Sequence, residues 1–193
     1  MSKPEYTPYK DALTNAMNQL SKMDDSIFIG QQIVYAGNPM STTLGDVPKE
    51  KMIEVPVMEE TQMGMTLGLA MTGKRVVTFY PRWDFIVSAS NQLINHLDKF
   101  ELMTGKKVNM LIRVGVGSKD PLDPGIQHRN NYSDEFASIL QFTKVHKLKK
   151  IEDILSQKPK GYSFTDLNLL IGDLIKSGDL LPLSLKKTEK DVI

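Results

Sequence analysis

An α/β fold, a parallel sheet with helices on both faces, is the class this sequence predicts, and three observations predict it. Short β-branched or aromatic runs alternate with longer segments whose apolar residues recur at helical spacing, the order that builds a parallel sheet with crossover helices. Glycines at Gly30, Gly73 and Gly105 close one segment after another, as strand and helix stops do. The chain has 193 residues and is 40% hydrophobic, which suits one unit with a substantial core rather than two.

Taken in order, Thr7 and Pro8 open the first helix, a capping residue followed by proline at the first turn. Leu13, Met17 and Leu20, with Ala12 and Ala16, give that helix one apolar stripe. Ile27–Ile29 is a short strand, and Gln31–Lys49 reads as loop, broken by Gly37, Asn38, Pro39, Gly45 and Pro48. Met52–Val57 is a strand and Glu59–Thr72 a helix stopped by Gly73. Arg75–Phe79 is a strand, and Trp83–Met103 one long helix stopped by Gly105. Val108–Val114 is a strand leading into a glycine- and proline-rich loop that ends at His128. Ser133–Leu140 reads as helix, Thr143–Leu148 as strand and Ile151–Gln157 as helix. These elements make one domain, residues 7–157. Residues 158–193 are set apart as a helical extension and tail with no role readable from the sequence: a linker, an amphipathic helix over Thr165–Ser177 with Leu167, Leu170 and Leu174 in a stripe, a short strand over Leu180–Leu185, and a charged end.

Charge and composition exclude several functions. The 24 basic residues balance 23 acidic ones, for a net charge of +1, so a polyanionic partner such as nucleic acid is not indicated. Cysteine is absent, which removes disulfide frameworks and thiolate metal sites. The N-terminus lacks the apolar core of a leader, and no apolar run approaches the roughly 18 residues of a membrane span. The expectation is a soluble, cytoplasmic protein. The eleven methionines read mainly as adaptable core filler.

The most informative stretch is Glu54–Gly73. A strand ends on two acids, Glu59 and Glu60, and runs into a helix of small and sulfur-containing residues with Gly64, Gly68 and Gly73. An acid held between the end of a parallel strand and the first turn of a helix faces the crevice where open α/β sheets bind ligands. The small helix face admits a second backbone at close range, so the combination reads as a cofactor site at a subunit interface. On residues alone, Glu59 is equally readable as a charge favourable to the helix dipole.

Four blocks extend this reading: GQQIVYAGN at Gly30–Asn38, VPVMEETQMGMTLGLAMTG at Val55–Gly73, RWDFIVSASNQLINHLDKFELMTG at Arg82–Gly105 and GIQHRNNYSDEFASI at Gly125–Ile139. In this order they resemble the pyrimidine-binding domain of thiamine-diphosphate enzymes. The similarity is greatest to the beta subunit of the 2-oxo acid dehydrogenases of the pyruvate type, and more distant to transketolase. The resemblance covers about residues 7–155 and implies a cofactor, thiamine diphosphate, whose own carbon does the covalent chemistry. It implies that Glu59 hydrogen-bonds the pyrimidine ring nitrogen and favours the imino tautomer that activates C2, with Glu60 the weaker candidate. It further implies that Phe85 stacks on the aminopyrimidine, that Val57 and Pro81 pack around it, and that His128 lies beside the reacting centre. Trp83 reads as core, His96 as a packing or interface residue, and His146 as a surface residue.

Departures from the family pattern shape the rest. Gly30-Gln31-Gln32 stands where the family usually has Gly-Glu-Glu, and Arg129 follows the Gln-His pair where serine is usual. A guanidinium there can bind a carboxylate or phosphate bidentately, so Arg129 joins His128 as a substrate-binding candidate. The family's beta subunits continue into a further domain not matched here, which weighs against membership of a large dehydrogenase complex. The family's Gly-Asp-Gly diphosphate motif has no match either: Gly45-Asp46-Val47 and Gly172-Asp173-Leu174 do not fit, and no P-loop is present. No metal ligand is therefore assigned to this chain. Mg²⁺ and the diphosphate are expected on an alpha-like partner subunit, with self-association into α2β2 the simplest closed assembly. The expected function is that of a half-site subunit, inactive alone, of an enzyme that attacks a 2-oxo acid through the cofactor ylide and decarboxylates it. Two alternatives stand beside it: a split transketolase-like enzyme that moves a two-carbon ketol unit between sugars, and a non-catalytic interaction subunit that keeps the fold.

Overall fold

The computed structural model describes residues 9–117, 119, 123–148 and 181–186. The expected helices at Ile151–Gln157 and Thr165–Ser177, and the Thr7-Pro8 cap, lie outside these residues.

Helix α1 spans Tyr9–Ser21 and strand β1 Ser26–Gly30. After a loop with short 3-10 turns come β2, Met52–Glu54, and α2, Glu59–Met71. Strand β3 is Arg75–Tyr80, α3 Trp83–Ser88, α4 Phe100–Thr104 and β4 Asn109–Val116. Helix α5, Ser133–Ile139, precedes β5, His146–Leu148, and β6 is Leu181–Lys186. The strands pair in the order β2-β1-β3-β4-β6-β5, and every pair is parallel. Parallel pairing requires crossovers, and a helix-period segment follows each of β2 and β3, as the alternation predicts.

Both faces of the sheet are covered because the central strands alternate. On β3 and β4, Val76, Tyr80, Met110, Ile112 and Val114 join a core with Met63, Trp83, Ile86 and Leu93 from the α2–α4 side. Val77, Phe79 and Leu111 point the other way, onto Leu13, Ala16, Met17 and Leu20 of α1. The α1 stripe read from the sequence is thus the stripe it buries. Lys51 closes this face by donating from Nζ to the carbonyl oxygens of Ser21 (2.7 Å) and Met23 (2.6 Å) at the end of α1, where cations are favoured.

Two expectations are corrected. The single helix expected over Trp83–Met103 is three helical pieces, the middle one a wide π turn over Gln92–Leu97 in which the Asp98 amide donates to the Leu93 carbonyl at 2.8 Å. The cause is tertiary. Asp98 is 2% exposed, and its carboxylate accepts the amides of Gln141 (3.0 Å), Phe142 (3.1 Å) and Thr143 (2.7 Å). Those contacts satisfy a turn that would otherwise bury unpaired donors, and they hold Asp98 where a regular helix would not. The extended run at Met52–Val57 pairs only through Glu54; Pro56 lacks an amide to continue the ladder. Leu181–Lys186, from the segment set apart after Lys158, lies between β4 and β5 in the same sheet.

Candidate functional site

Strands β1 to β4 end at Gly30, Glu54, Tyr80 and Val116, and the segments leaving those ends carry the candidate residues. This is the edge of a parallel sheet at which ligands collect.

Glu54 shapes the first wall. Its carboxylate accepts the amides of Gln32 (2.5 Å), Ile33 (2.9 Å) and Val34 (3.1 Å). Gln32 sits at φ 57, a left-handed conformation that costs a non-glycine residue about 1 kcal/mol or more, and three charge-assisted bonds offset that cost. Gln31 turns inward, buried, with its Nε2 unpaired.

Glu59 and Glu60 begin α2. Glu60 Oε1 accepts from Asn91 Nδ2 at 3.1 Å, and Asn91 Oδ1 accepts from Asn95 at 3.0 Å. Among the described residues nothing donates to the Glu59 carboxylate. Its main-chain carbonyl accepts the Tyr80 phenol at 3.2 Å. Tyr80 is fully buried. Burial pushes its pKa well above the ordinary range; the Thr78 side chain opposes the rise, and the nearby Glu59 charge adds to it. A turn further along α2, buried Gln62 donates from Nε2 to Thr78 Oγ1 and to the Phe79 carbonyl, both at 2.9 Å. Two ties thus fasten the start of α2 to the end of β3.

Phe85, on α3, is half-buried and stands 5.6 Å from the His128 imidazole, ring planes at 60°. His128 ends a 3-10 turn opened by Gly125 at φ 89. Its carbonyl accepts from Arg82 Nη1 at 2.9 Å, and its buried Nδ1 has no partner. The close approach depends on Gly117, where a Cβ would collide with the His128 carbonyl oxygen. Arg129 Nε lies 3.2 Å from Asp123 Oδ1, so part of its charge is met within the loop. Pro81 is half-buried, whereas Val57 is 82% exposed. Trp83 is fully buried against Phe136, centroids 5.3 Å apart, as core. His96 is exposed and His146 half-buried.

Residues 6–138 match the family described as transketolase, pyrimidine binding domain. The chain belongs to this family. The pyrimidine-binding domain is 26% identical over 135 residues to the pyruvate dehydrogenase E1 component subunit beta, mitochondrial, of Dictyostelium discoideum, covering 67% of this chain and 38% of that protein. Against the Pisum sativum protein of the same description it is 22% identical over 198 residues, covering 94% of this chain and 55% of the relative. The chain therefore spans about two fifths to about half of these relatives. Among solved structures, a split gene transketolase described as an inactive beta4 tetramer superposes with a TM-score of 0.60 at 12% identity, over 95% of this chain and 54% of that one. This likeness establishes the fold. No helix among the described residues is long and apolar enough to cross a membrane.

Sequence reading of the pyrimidine-binding domain missed Glu54, Gln62, Tyr80, Arg82 and Asp84. Tyr80 carried a signal: it is the last residue of an alternating strand that leads directly to Pro81 and Phe85. The contacts of Arg82 and Asp84 with the His128 segment, 46 residues away, have no sequence signature.

Proposed function

We propose that this chain binds the pyrimidine half of thiamine diphosphate and serves as the beta-like half-site of an enzyme that decarboxylates a 2-oxo acid, with Mg²⁺ and the diphosphate held by an alpha-like partner. The observation that carries the reading is the unengaged Glu59 carboxylate at the same sheet edge as the Phe85–His128 ring pair. The residues present fit the group. A flat nitrogen heterocycle needs a carboxyl at a ring nitrogen, an aromatic platform and apolar cover; Glu59, Phe85, and Val57 with Pro81 supply these. The exposed Val57 side chain gains cover when the site is filled.

Bound there, thiamine diphosphate supplies a nucleophilic carbon and an electron sink for decarboxylation. Glu59 holds and exchanges a proton at the pyrimidine nitrogen. Phe85 fixes the ring plane, contributing on the order of 1 kcal/mol beyond burial. His128 donates to the oxyanion developing on the substrate carbonyl or moves a proton there. Arg129 offers its cationic edge to the substrate carboxylate, in competition with Asp123.

A second reading, ketol transfer between sugars, draws support from the split gene transketolase fold. In either case self-association accompanies the partner, in an α2β2 arrangement.

Calorimetric titration of Mg²⁺–thiamine diphosphate into the chain, alone and with its co-purifying partner, tests the proposal. Saturable heat only with the partner, lost in Glu59→Gln, is the expected result. Heat with the chain alone contradicts the shared site, and no heat in either case contradicts the cofactor assignment. Turnover of a 2-oxo acid rather than a ketose separates the two readings.

A further inference from the structure

Arg82, Asp84 and Phe85 stand together at the start of α3, and all three reach the same short segment of the distant loop. Arg82, whose backbone is extended (φ −151, ψ 153) and whose side chain caps nothing in its own helix, donates from Nη1 to the His128 carbonyl at 2.9 Å. Asn130 Nδ2 donates to Asp84 Oδ1 at 2.5 Å and to the Ile126 carbonyl at 3.2 Å. Phe85 meets the imidazole of the same segment. The Arg82 guanidinium passes beside Gly117, where a Cβ would lie 2.7 Å from Nη1. Both ties involve a charged group and are of the stronger kind of hydrogen bond. They attach at two different residues of the segment, His128 and Asn130. The imidazole itself makes no such bond through Nδ1, and Asp84 Oδ2 is likewise buried and unpaired. The ring is located through its backbone and the Phe85 face, which leaves Nδ1 without a partner among the described residues.

We propose that Arg82 and Asp84 are positioning residues: a two-point latch that fixes His128 against Phe85 at the sheet edge. The inference rests on the function proposed above for the purpose of the latch, though not for its geometry. A catalytic imidazole displaced by about 1 Å loses up to about a hundredfold in rate, so a loop residue with this role needs anchoring from a rigid element.

The chain contains three histidines, so NMR of the imidazole Cε1–H groups in the free chain gives one signal for each, that of His128 assigned by His128→Gln. In Arg82→Met and in Asp84→Asn, the His128 signal is expected to move from its ring-shifted position toward that of an exposed histidine, while those of His96 and His146 stay. Arg82→Lys, which keeps a donor for the carbonyl, should restore most of the shift. In the partner-reconstituted enzyme the first two variants should lower kcat about tenfold and leave KM for thiamine diphosphate within about twofold. An unmoved His128 signal in both variants overturns the latch. A moved signal with undiminished kcat overturns its positioning role. Should Arg82→Met fail to fold, Asn130→Ala removes the second tie from the loop side and must move the same signal, or the latch is overturned. The NMR readout needs neither cofactor nor partner, so a wild-type chain without thiamine-dependent turnover defeats the functional proposal while the signal still tests the latch.

Discussion

The Tyr80 phenol donates to the main-chain carbonyl of Glu59 across 3.2 Å, tying the last residue of β3 to the first of α2. With the Gln62 bridge to Thr78 and Phe79, it sets where the Glu59 carboxylate leaves the helix. Tyr80→Phe keeps the ring and removes the bond, so it should cost about 1 kcal/mol of stability. The pH dependence has a definite sign. Burial raises the native pKa above the unfolded value of 10.0, so the protonated phenol's contribution is complete below about pH 10 and is lost as pH rises beyond it. Urea unfolding should show a stability gap between wild type and Tyr80→Phe that is flat from pH 7 to 9 and narrows above 10. A gap constant to pH 11 would contradict this.

Glu59 and Glu60 are adjacent in sequence and opposite in circumstance, since among the described residues a side chain, Asn91, donates to the Glu60 carboxylate and none to that of Glu59. In the reconstituted enzyme Glu59→Gln should reduce cofactor-dependent turnover by about a hundredfold or more. Glu60→Gln, which can keep an oxygen toward Asn91, should change it less than about threefold. The reverse pattern would transfer the catalytic assignment to Glu60.

Gly117 and Gly68 make a contrasting pair. A Cβ at Gly117 would strike the His128 carbonyl, while at Gly68, inside α2, no atom of the described residues beyond its own stretch of helix would lie within 4 Å of one. Gly117→Ala should destabilise by about 1–3 kcal/mol and shift the His128 resonance. Gly68→Ala should stabilise the free chain by about 0.5–1 kcal/mol through helix propensity. Thermal unfolding of both decides the matter, and similar signs for the two would show that the close approach at Gly117 is not constraining.

Asp98 accepts three amides of the Gln141–Thr143 turn. Asp98→Ala orphans all three and should cost about 3 kcal/mol or more, with Asp98→Asn intermediate. Hydrogen exchange at Gln141, Phe142 and Thr143 should accelerate in both variants. Unchanged exchange there would mean that the turn is held by something else.

Much of the fold was legible because its signals are local. The Leu13–Met17–Leu20 stripe, the runs at Ile27–Ile29 and Arg75–Phe79, and the stop at Gly73, which adopts φ 88, follow from periods and backbone preferences carried within a few residues. The place of Glu59 at a strand-to-helix junction was legible for the same reason, and the order of the four blocks pointed to the pyrimidine-binding family. What tertiary structure alone decided is whatever depends on segments meeting across the sheet. Asp98 breaks the long helix because its carboxylate finds amides 43 to 45 residues away. Strand β6 enters between β4 and β5, an order no periodicity encodes. Glu60 is engaged and Glu59 left open because Asn91 reaches one carboxylate and not the other. His128 meets Phe85 because Arg82 and Asp84 hold its loop. Sequence patterns specify which face of an element is apolar; which polar groups then find one another is settled when those faces pack.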